Sequence, residues 1–424
     1  MTYAQARARL AALPTLEVKP GLDRIRRLIE HLDNPQAAYP AVHVAGTNGK
    51  GSVVAMLAGV LCRAGLRVGR YTSPELVDFR DRITVDDEWI GERAFADIVE
   101  AIVPGLDDTD APTLFEALTA IALEHFRRQR VDIAVVEVGL GGRFDATNVV
   151  RPCLTALTTV SLDHTALLGT TIERIAWEKA GIAKRDVPLV FGSISAEAET
   201  VARQVAREAG APVSSCDLAL TRTDVNWAGA RFRVDAADLP RSIDLPLLGG
   251  WQADNLRVVL CLVRALRECG YDIPSAAVAD GMRGVRWPGR METVHHAPRV
   301  VLDAAHNAAG AAALADEILR LVPDRAHRVL LFGALRDKDA AGMLTSLAPV
   351  FPRVTLCVSD SPRALTMDRL ETIARDAGIR YQKADSVTTG VREALAALSP
   401  DDVLIVAGSL TVVGEARRAL MERG

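Results

Sequence analysis

The run AVHVAGTNGKGSVVAMLAGVL, residues 41–61, constrains this chain more than any other. An apolar stretch enters a turn built on Gly46, Gly49 and Gly51, and an apolar helical stretch leaves it. Strand, glycine turn and helix in immediate succession form a βα corner. There the turn exposes backbone N–H groups, and the helix N-terminus adds partial positive charge, so phosphate oxygens are favoured ligands. Lys50 supplies a full charge and Ser52 a hydroxyl suited to Mg2+. The common G-x-x-x-x-G-K-[ST] spacing is not kept: Val44 stands where the first glycine belongs, and Gly51 separates Lys50 from Ser52. A plain flexible turn is the bland alternative, but the order of the three elements favours phosphate. Gly46, Thr47, Asn48, Gly49, Lys50, Gly51 and Ser52 are therefore the candidate phosphate-contact residues.

The remainder of the chain repeats the same alternation of short β-branched runs and amphipathic helical stretches, which implies an α/β fold with a doubly wound, mainly parallel sheet. Residues 131–139 (VDIAVVEVG) and 154–160 (LTALTTV) read as buried strands, and residues 171–182 as a helix opened by a capping box between Thr170 and Glu173. Residues 215–248 alternate apolar and polar positions and suggest a small antiparallel insert, followed by a helix over 255–269. At 424 residues the chain exceeds the roughly 250–300 that one core sustains, so two domains are expected. The Gly-, Pro- and Arg-rich segment 283–291 breaks the periodicity and is the expected hinge. This gives residues 1–287 and 288–424, the second a Rossmann-like α/β unit with strands at 299–303, 328–333, 353–358 and 403–408.

Composition excludes several classes. Hydrophobic residues make up 49% and charged residues 25%, as in ordinary soluble proteins. A net charge of -4 without basic runs gives no support to nucleic-acid binding, so small-molecule substrates are expected. No stretch has the length and apolarity of a signal peptide or membrane span, including the N-terminal 21 residues, so the expectation is a cytoplasmic protein. The six cysteines lack C-x-x-C spacing and read as reduced core residues.

GTNGKGS (46–52) resembles the nucleotide loop of the Mur ligases, in the form found in the folylpolyglutamate synthase and dihydrofolate synthase family. The likeness continues in order through TSPELVDFRDRI (72–83), PTLFEALTA (112–120), EVGLGGRFDATN (137–148), DHTALLG (163–169) and EKAGI (178–182). It extends through WPGRME (287–292), LDAAHN (302–307), GALRDKD (333–339) and GSLTVVGE (408–415), and so covers essentially the whole chain. The implied activity is ATP-dependent joining of L-glutamate to a folate carboxylate through an acyl phosphate, with dihydropteroate as a further acceptor. The implied central domain is residues 1–287, and the implied glutamate ligase domain is 288–424.

By resemblance, Ser73 and Glu137 hold a first Mg2+ with Ser52 possible, His164 holds a second, and Lys179 matches a lysine carbamylated into a carboxylate-like ligand. From residues alone, Ser73 is equally a turn residue; the alternatives for the others are a capping or salt-bridged carboxylate for Glu137, a structural histidine for His164 and, the commoner outcome for its type, a solvated side chain for Lys179. Lys50, His164 and Lys179 form the implied catalytic set. Asn255, Arg290, Asp303 and His306 match the family's ATP contacts, with Asn307 beside them; an interdomain salt bridge for Arg290 and a strand-end cap for Asp303 are the alternatives. For the pterin-bearing acceptor the candidates are Thr113, Leu114, Phe115 and Glu116 with Phe144, Asp145 and Ala146, bordered by residues 21–24; Phe115 is equally a core residue. Two departures stand out: Glu75 where many relatives carry His, and Ala308 where they often have Pro. A monomer is expected. The rival readings are extension of folates only, another Mur-type amino-acid ligase, and a nucleotide-hydrolysing switch that needs no acceptor pocket.

Overall fold

The computed structural model describes residues 1–14, 21–106 and 110–421. Residues 15–20 of the N-terminal stretch read above lie outside that set. The described chain forms two compact units: residues 1–222 with 232–244 and 253–285, and residues 223–231 with 245–252 and 286–424.

The first unit is built on an eight-stranded sheet. Its strands are β1 (Ala41–Ala45), β2 (Val68–Tyr71), β3 (Ile83–Val85), β4 (Glu88–Trp89), β5 (Ile133–Glu137), β6 (Pro152–Leu157), β7 (Leu189–Phe191) and β8 (Val213–Ser215), in the order β4-β3-β2-β5-β1-β6-β7-β8. All pairings from β2 to β8 are parallel, and β3 and β4 add an antiparallel edge. Every residue of β1 and β5 is buried. This accounts for their mainly apolar character, interrupted only by His43 and the terminal Glu137, since a strand covered on both faces has no solvent side on which polar residues are favoured.

The helix Lys50–Arg63 follows β1 and is buried over most of its length. Each fully enclosed Val, Leu or Met on it contributes about 1.5–3 kcal/mol. It meets the helix Ser275–Gly284 at two glycines: Gly281 lies against the Val60 backbone, and a Cβ on Gly59 would come within 3.2 Å of the Gly281 carbonyl. Two bare backbones permit that close approach.

Three short strands, β9 (Leu220–Asn226), β10 (Gly229–Val234) and β11 (Ser242–Leu245), make a separate three-stranded sheet in the order β11-β10-β9, within the stretch read as an insert. The second unit carries β12 (Glu292–His296), β13 (Arg299–Leu302), β14 (Arg328–Phe332), β15 (Arg353–Leu356), β16 (Gln382–Lys383) and β17 (Val403–Ala407), in the order β12-β13-β17-β14-β15-β16. Only β12 pairs antiparallel. The core of this unit includes Leu314, Ile318, Phe332 and Ile405. It also takes in Leu248, with Trp227 and Trp251 packed against it, and the Arg299 guanidinium lies 4.5 Å from the centroid of the Trp227 ring. Those contacts draw two short segments, 223–231 and 245–252, into the second unit ahead of residue 286.

Two expectations are corrected. The helix Ile172–Ala180 is capped by Thr171, whose side chain accepts from the Arg174 N–H, and not by Thr170 with Glu173. Both threonines have the right chemistry; Thr171 stands at the N-cap position, where its extended backbone aims its hydroxyl at the third helical N–H. The cysteines are not all reduced core residues: Cys216 and Cys261 form a disulfide, and of the other four only Cys357 is buried. The fold brings their Cα atoms to 6.0 Å across a sequence separation of 45, so local spacing carried no sign of the pair.

Candidate active site

The turn after β1 lies at the C-terminal edge of the first sheet, between its neighbours β5 and β6. That is where an open α/β sheet binds ligands. Gly49 adopts φ +85° as the N-cap of the helix Lys50–Arg63, in the left-handed region, and a side chain there would strike the Asn255 carboxamide. Gly46 lies against the Thr158 hydroxyl in the same way. Glycine is needed at both positions for backbone conformation and for clearance.

The loop is held from the β6 side. Thr47 N–H donates to the Thr159 carbonyl at 2.8 Å, Asn48 N–H to the Thr159 hydroxyl at 2.9 Å, and the Thr158 hydroxyl to the Asn48 carbonyl at 2.6 Å. Ser161 N–H donates to the Thr47 hydroxyl, which donates in turn to the Ser161 carbonyl. Sequence reasoning missed Thr158, Thr159 and Ser161. Their only signal was a run of hydroxyl residues leaving an apolar strand.

Two lysines converge on this loop. Lys50 Nζ donates to the Gly46 and Thr47 carbonyls at 3.0 and 3.2 Å, and Lys179 Nζ donates to the same Gly46 carbonyl at 2.9 Å. Lys179 is buried, unlike the solvated lysine that its residue type alone suggests. Burial first, and then the charge of Lys50, push its amine down to about 7, while Asp163, Asp145 and Glu178 oppose the shift. A substantial uncharged fraction near neutral pH is what addition of CO2 requires.

Glu137 ends β5 and is buried, and its Oε2 accepts the Ser73 N–H at 3.2 Å. Ser52 is buried in the first turn of the loop's helix. His164 takes a left-handed conformation (φ 48°) ahead of the helix Thr165–Leu168, with a partly exposed ring 4.0 Å from the Asp163 carboxylate. Among the described residues no group of three His, Cys, Asp or Glu is arranged to hold a metal by itself. Ser73 and Glu137 offer oxygen donors of the kind Mg2+ takes, and His164 a separate nitrogen donor; Mg2+ typically takes one or two protein ligands and fills its shell with water and nucleotide phosphate.

The acceptor candidates divide by the company they keep. Thr113 and Glu116 form the capping box of the helix Leu114–Gln129, and Glu116 Oε2 also accepts Arg24 Nε at 3.2 Å. Leu114 N–H donates to the Pro14 carbonyl. Phe115 is partly buried, stacked on Tyr71 with ring centroids 6.2 Å apart, and lies against Gly139. Asp145 is buried and accepts from Leu140 N–H and Thr147 N–H, which fixes the 137–148 loop. Ala146 is buried, whereas Phe144 is 46% exposed. Glu75 takes both Nε and Nη2 of the buried Arg82, an ion pair within the 72–83 segment. Asn255, in the helix Gln252–Glu268, is buried beside Gly49.

In the second unit the PGR and LDAAHN segments meet. Asp303 is buried and accepts Met291 N–H and Ala305 N–H, both at 2.9 Å. Burial raises its pKa, and the nearby Arg290 charge opposes that rise. His306 Nδ1 lies 2.9 Å from the Ala304 carbonyl. Asn307 caps the helix Ala308–Leu321 by accepting Gly310 N–H, so Ala308 occupies its first position.

Residues 289–410 match the model of the Mur ligase, glutamate ligase domain, which with the phosphate loop on the first sheet places the chain among the Mur-type ligases. A Bacillus subtilis dihydrofolate synthase/folylpolyglutamate synthase is 34% identical, with 99% of each chain covered. A solved structure described as E. coli FolC in complex with DHPP and ADP superposes with a TM-score of 0.87 at 30% identity, covering 100% of this chain and 98% of that one. A Haloferax volcanii protein, a probable bifunctional folylpolyglutamate synthase/dihydropteroate synthase, is 39% identical over 98% of this chain; the chain spans about half, 50%, of that relative. The chain belongs to the folylpolyglutamate synthase/dihydrofolate synthase family.

Proposed function

We propose that this protein is an ATP-dependent ligase that adds L-glutamate to the carboxylate of folates and also converts dihydropteroate to dihydrofolate. The observation that carries this reading is the pair of lysines, Lys50 and Lys179, converging on the glycine loop at the switch point of the first sheet. A carboxylate does not condense with an amine in water because its oxygen leaves poorly. Attack of an acceptor carboxylate oxygen on the ATP γ-phosphorus expels ADP and forms an acyl phosphate. The glutamate nitrogen then attacks the acyl carbon, phosphate departs, and the nitrogen loses a proton.

Loop N–H groups and Lys50 hold and neutralise the phosphates, which is most of what phosphoryl transfer asks of a protein. Ser73 and Glu137, with Ser52, would hold one Mg2+, and His164 with carbamylated Lys179 a second, screening charge between phosphate and carboxylate. Lys179 suits this role only as a carbamate, because its cationic form repels a metal. A 13C carbamate resonance after exposure to labelled bicarbonate, absent in Lys179→Ala, checks that assignment. Asn255, Arg290, Asp303 and His306 are assigned to the nucleotide, and Thr113, Leu114, Phe115, Glu116, Phe144, Asp145 and Ala146 to the acceptor. Residues 1–287 are proposed as the ATP-binding part and 288–424 as the glutamate ligase part. The same reading takes the chain as a cytoplasmic monomer, which sedimentation checks.

Phosphate release with MgATP and L-glutamate tests the reading, comparing dihydropteroate, a reduced monoglutamyl folate and no acceptor, with products weighed by mass spectrometry. Both acceptors should gain one glutamate. Gain by the folate alone removes the synthase half, and stimulation by neither removes the folate assignment.

A further inference from the structure

The 137–148 loop wraps the C-terminal end of the helix that carries Lys179. Arg143 N–H donates to the Glu178 carbonyl at 2.9 Å, a Cβ on Gly142 would meet the Lys179 carbonyl, and Gly181 lies against Arg143 Cβ. This docking brings the Arg143 guanidinium over the Trp177 ring, with Cζ 3.8 Å from the ring centroid. The ring remains 41% exposed, and the next residue along the loop, Phe144, is 46% exposed.

Arg143 makes no ion pair with a described residue, though the Glu178 carboxylate is near enough for their charges to interact. Its side chain's only hydrogen bond to described residues is a long one, 3.5 Å from Nη2 to the Trp177 carbonyl. Its Nε is buried without a partner, and no described carboxylate lies within ion-pair distance. Both signs of charge lie near it: Glu178, whose pKa is raised by burial against the opposing charge of Arg143, and the cation Lys184. Lys184, which donates to the Asn148 carboxamide oxygen at 2.6 Å, is pushed below its ordinary pKa by burial and then by two cations, Arg26 and Arg143. A planar guanidinium stacked on an aromatic ring, with donors unspent, is preorganised to take a carboxylate bidentately.

We infer that Arg143, seated on Trp177, binds the carboxylates of the acceptor's glutamyl tail. This deepens the proposed function and rests on it, because folates carry that tail and dihydropteroate does not. Arg143 is thereby a specificity-determining residue that separates extension of glutamylated folates from the first glutamylation.

The test is calorimetric titration of pteroyltriglutamate and of tail-less pteroate into the protein with MgADP present, which occupies the nucleotide's own anion site. Arg143→Gln should weaken pteroyltriglutamate binding at least 10-fold and pteroate binding less than 3-fold, with thermal melting as the check on folding. Trp177→Leu, which removes the platform and keeps the charge, should act in the same direction, and Arg143→Lys should restore only part of the loss. Equal weakening of both compounds, or less than 3-fold weakening of the triglutamate, overturns the inference. Wild-type protein that binds neither compound overturns the acceptor assignment as well, and that result is visible before any variant is made.

Discussion

At the scale of single residues, charge is placed where an isolated side chain would avoid it. Lys179 is buried, and its partner is a backbone carbonyl that it shares with Lys50. Lys50→Ala removes the one full charge at the head of the loop's helix. Turnover should fall by about 10² or more, with MgATP affinity reduced and the circular dichroism spectrum unchanged. His43 and His125 set a different dependence. Burial lowers their pKa values to about 3 and about 4, helped by Lys184 at the first and by Arg128 and Arg67 at the second. Both remain neutral in the fold but take up protons in the unfolded chain below its value near 6.5, so stability is lost as pH falls from there towards 4. Each contributes a slope approaching about 1.4 kcal/mol per pH unit. The urea midpoint should drop over that window, and His43→Leu should flatten the drop. The glycine turn between strand and helix was legible at this scale because its residues are consecutive in sequence. The burial of Lys179 was not, because it depends on a carbonyl 133 positions away.

At the scale of elements, the strands declared themselves through their apolar runs, whereas helix starts depend on backbone angles that composition does not specify. Thr170 and Thr171 show the difference: of two identical side chains, Thr171 is the cap, on an extended backbone. Thr113 is a capping box that the structure does use, with Glu116 returning the bond. Thr113→Ala should cost about 1 kcal/mol, read as a shift in denaturation midpoint. The crossing of the helices Lys50–Arg63 and Ser275–Gly284 is more demanding. Gly281→Val places branched carbons against the Val60 backbone, and overpacking of that kind costs about 1–3 kcal/mol. The melting temperature should fall, and nucleotide affinity with it, since the displaced helix begins at Lys50. Neither glycine drew notice in the sequence, because a close crossing has no local signature.

At the scale of the whole molecule, two long-range features escaped the sequence. The Cys216–Cys261 bond joins residues with no motif between them. Thiol titration of the denatured, unreduced chain should find four groups, Cys62, Cys153, Cys269 and Cys357, and six after reduction. The other feature is the route of the chain, which enters the second unit at residue 223 and again at 245 before it stays from 286. Residues 283–291 stood out in the sequence by their Gly, Pro and Arg, but the earlier visits depend on Trp227, Leu248 and Trp251 finding a core built largely from residues after 299. A gene fragment starting at residue 283 therefore encodes an unfinished object. It would leave Arg299 without its aromatic platform and a gap where Leu248 belongs, so the second half has to be made together with the first.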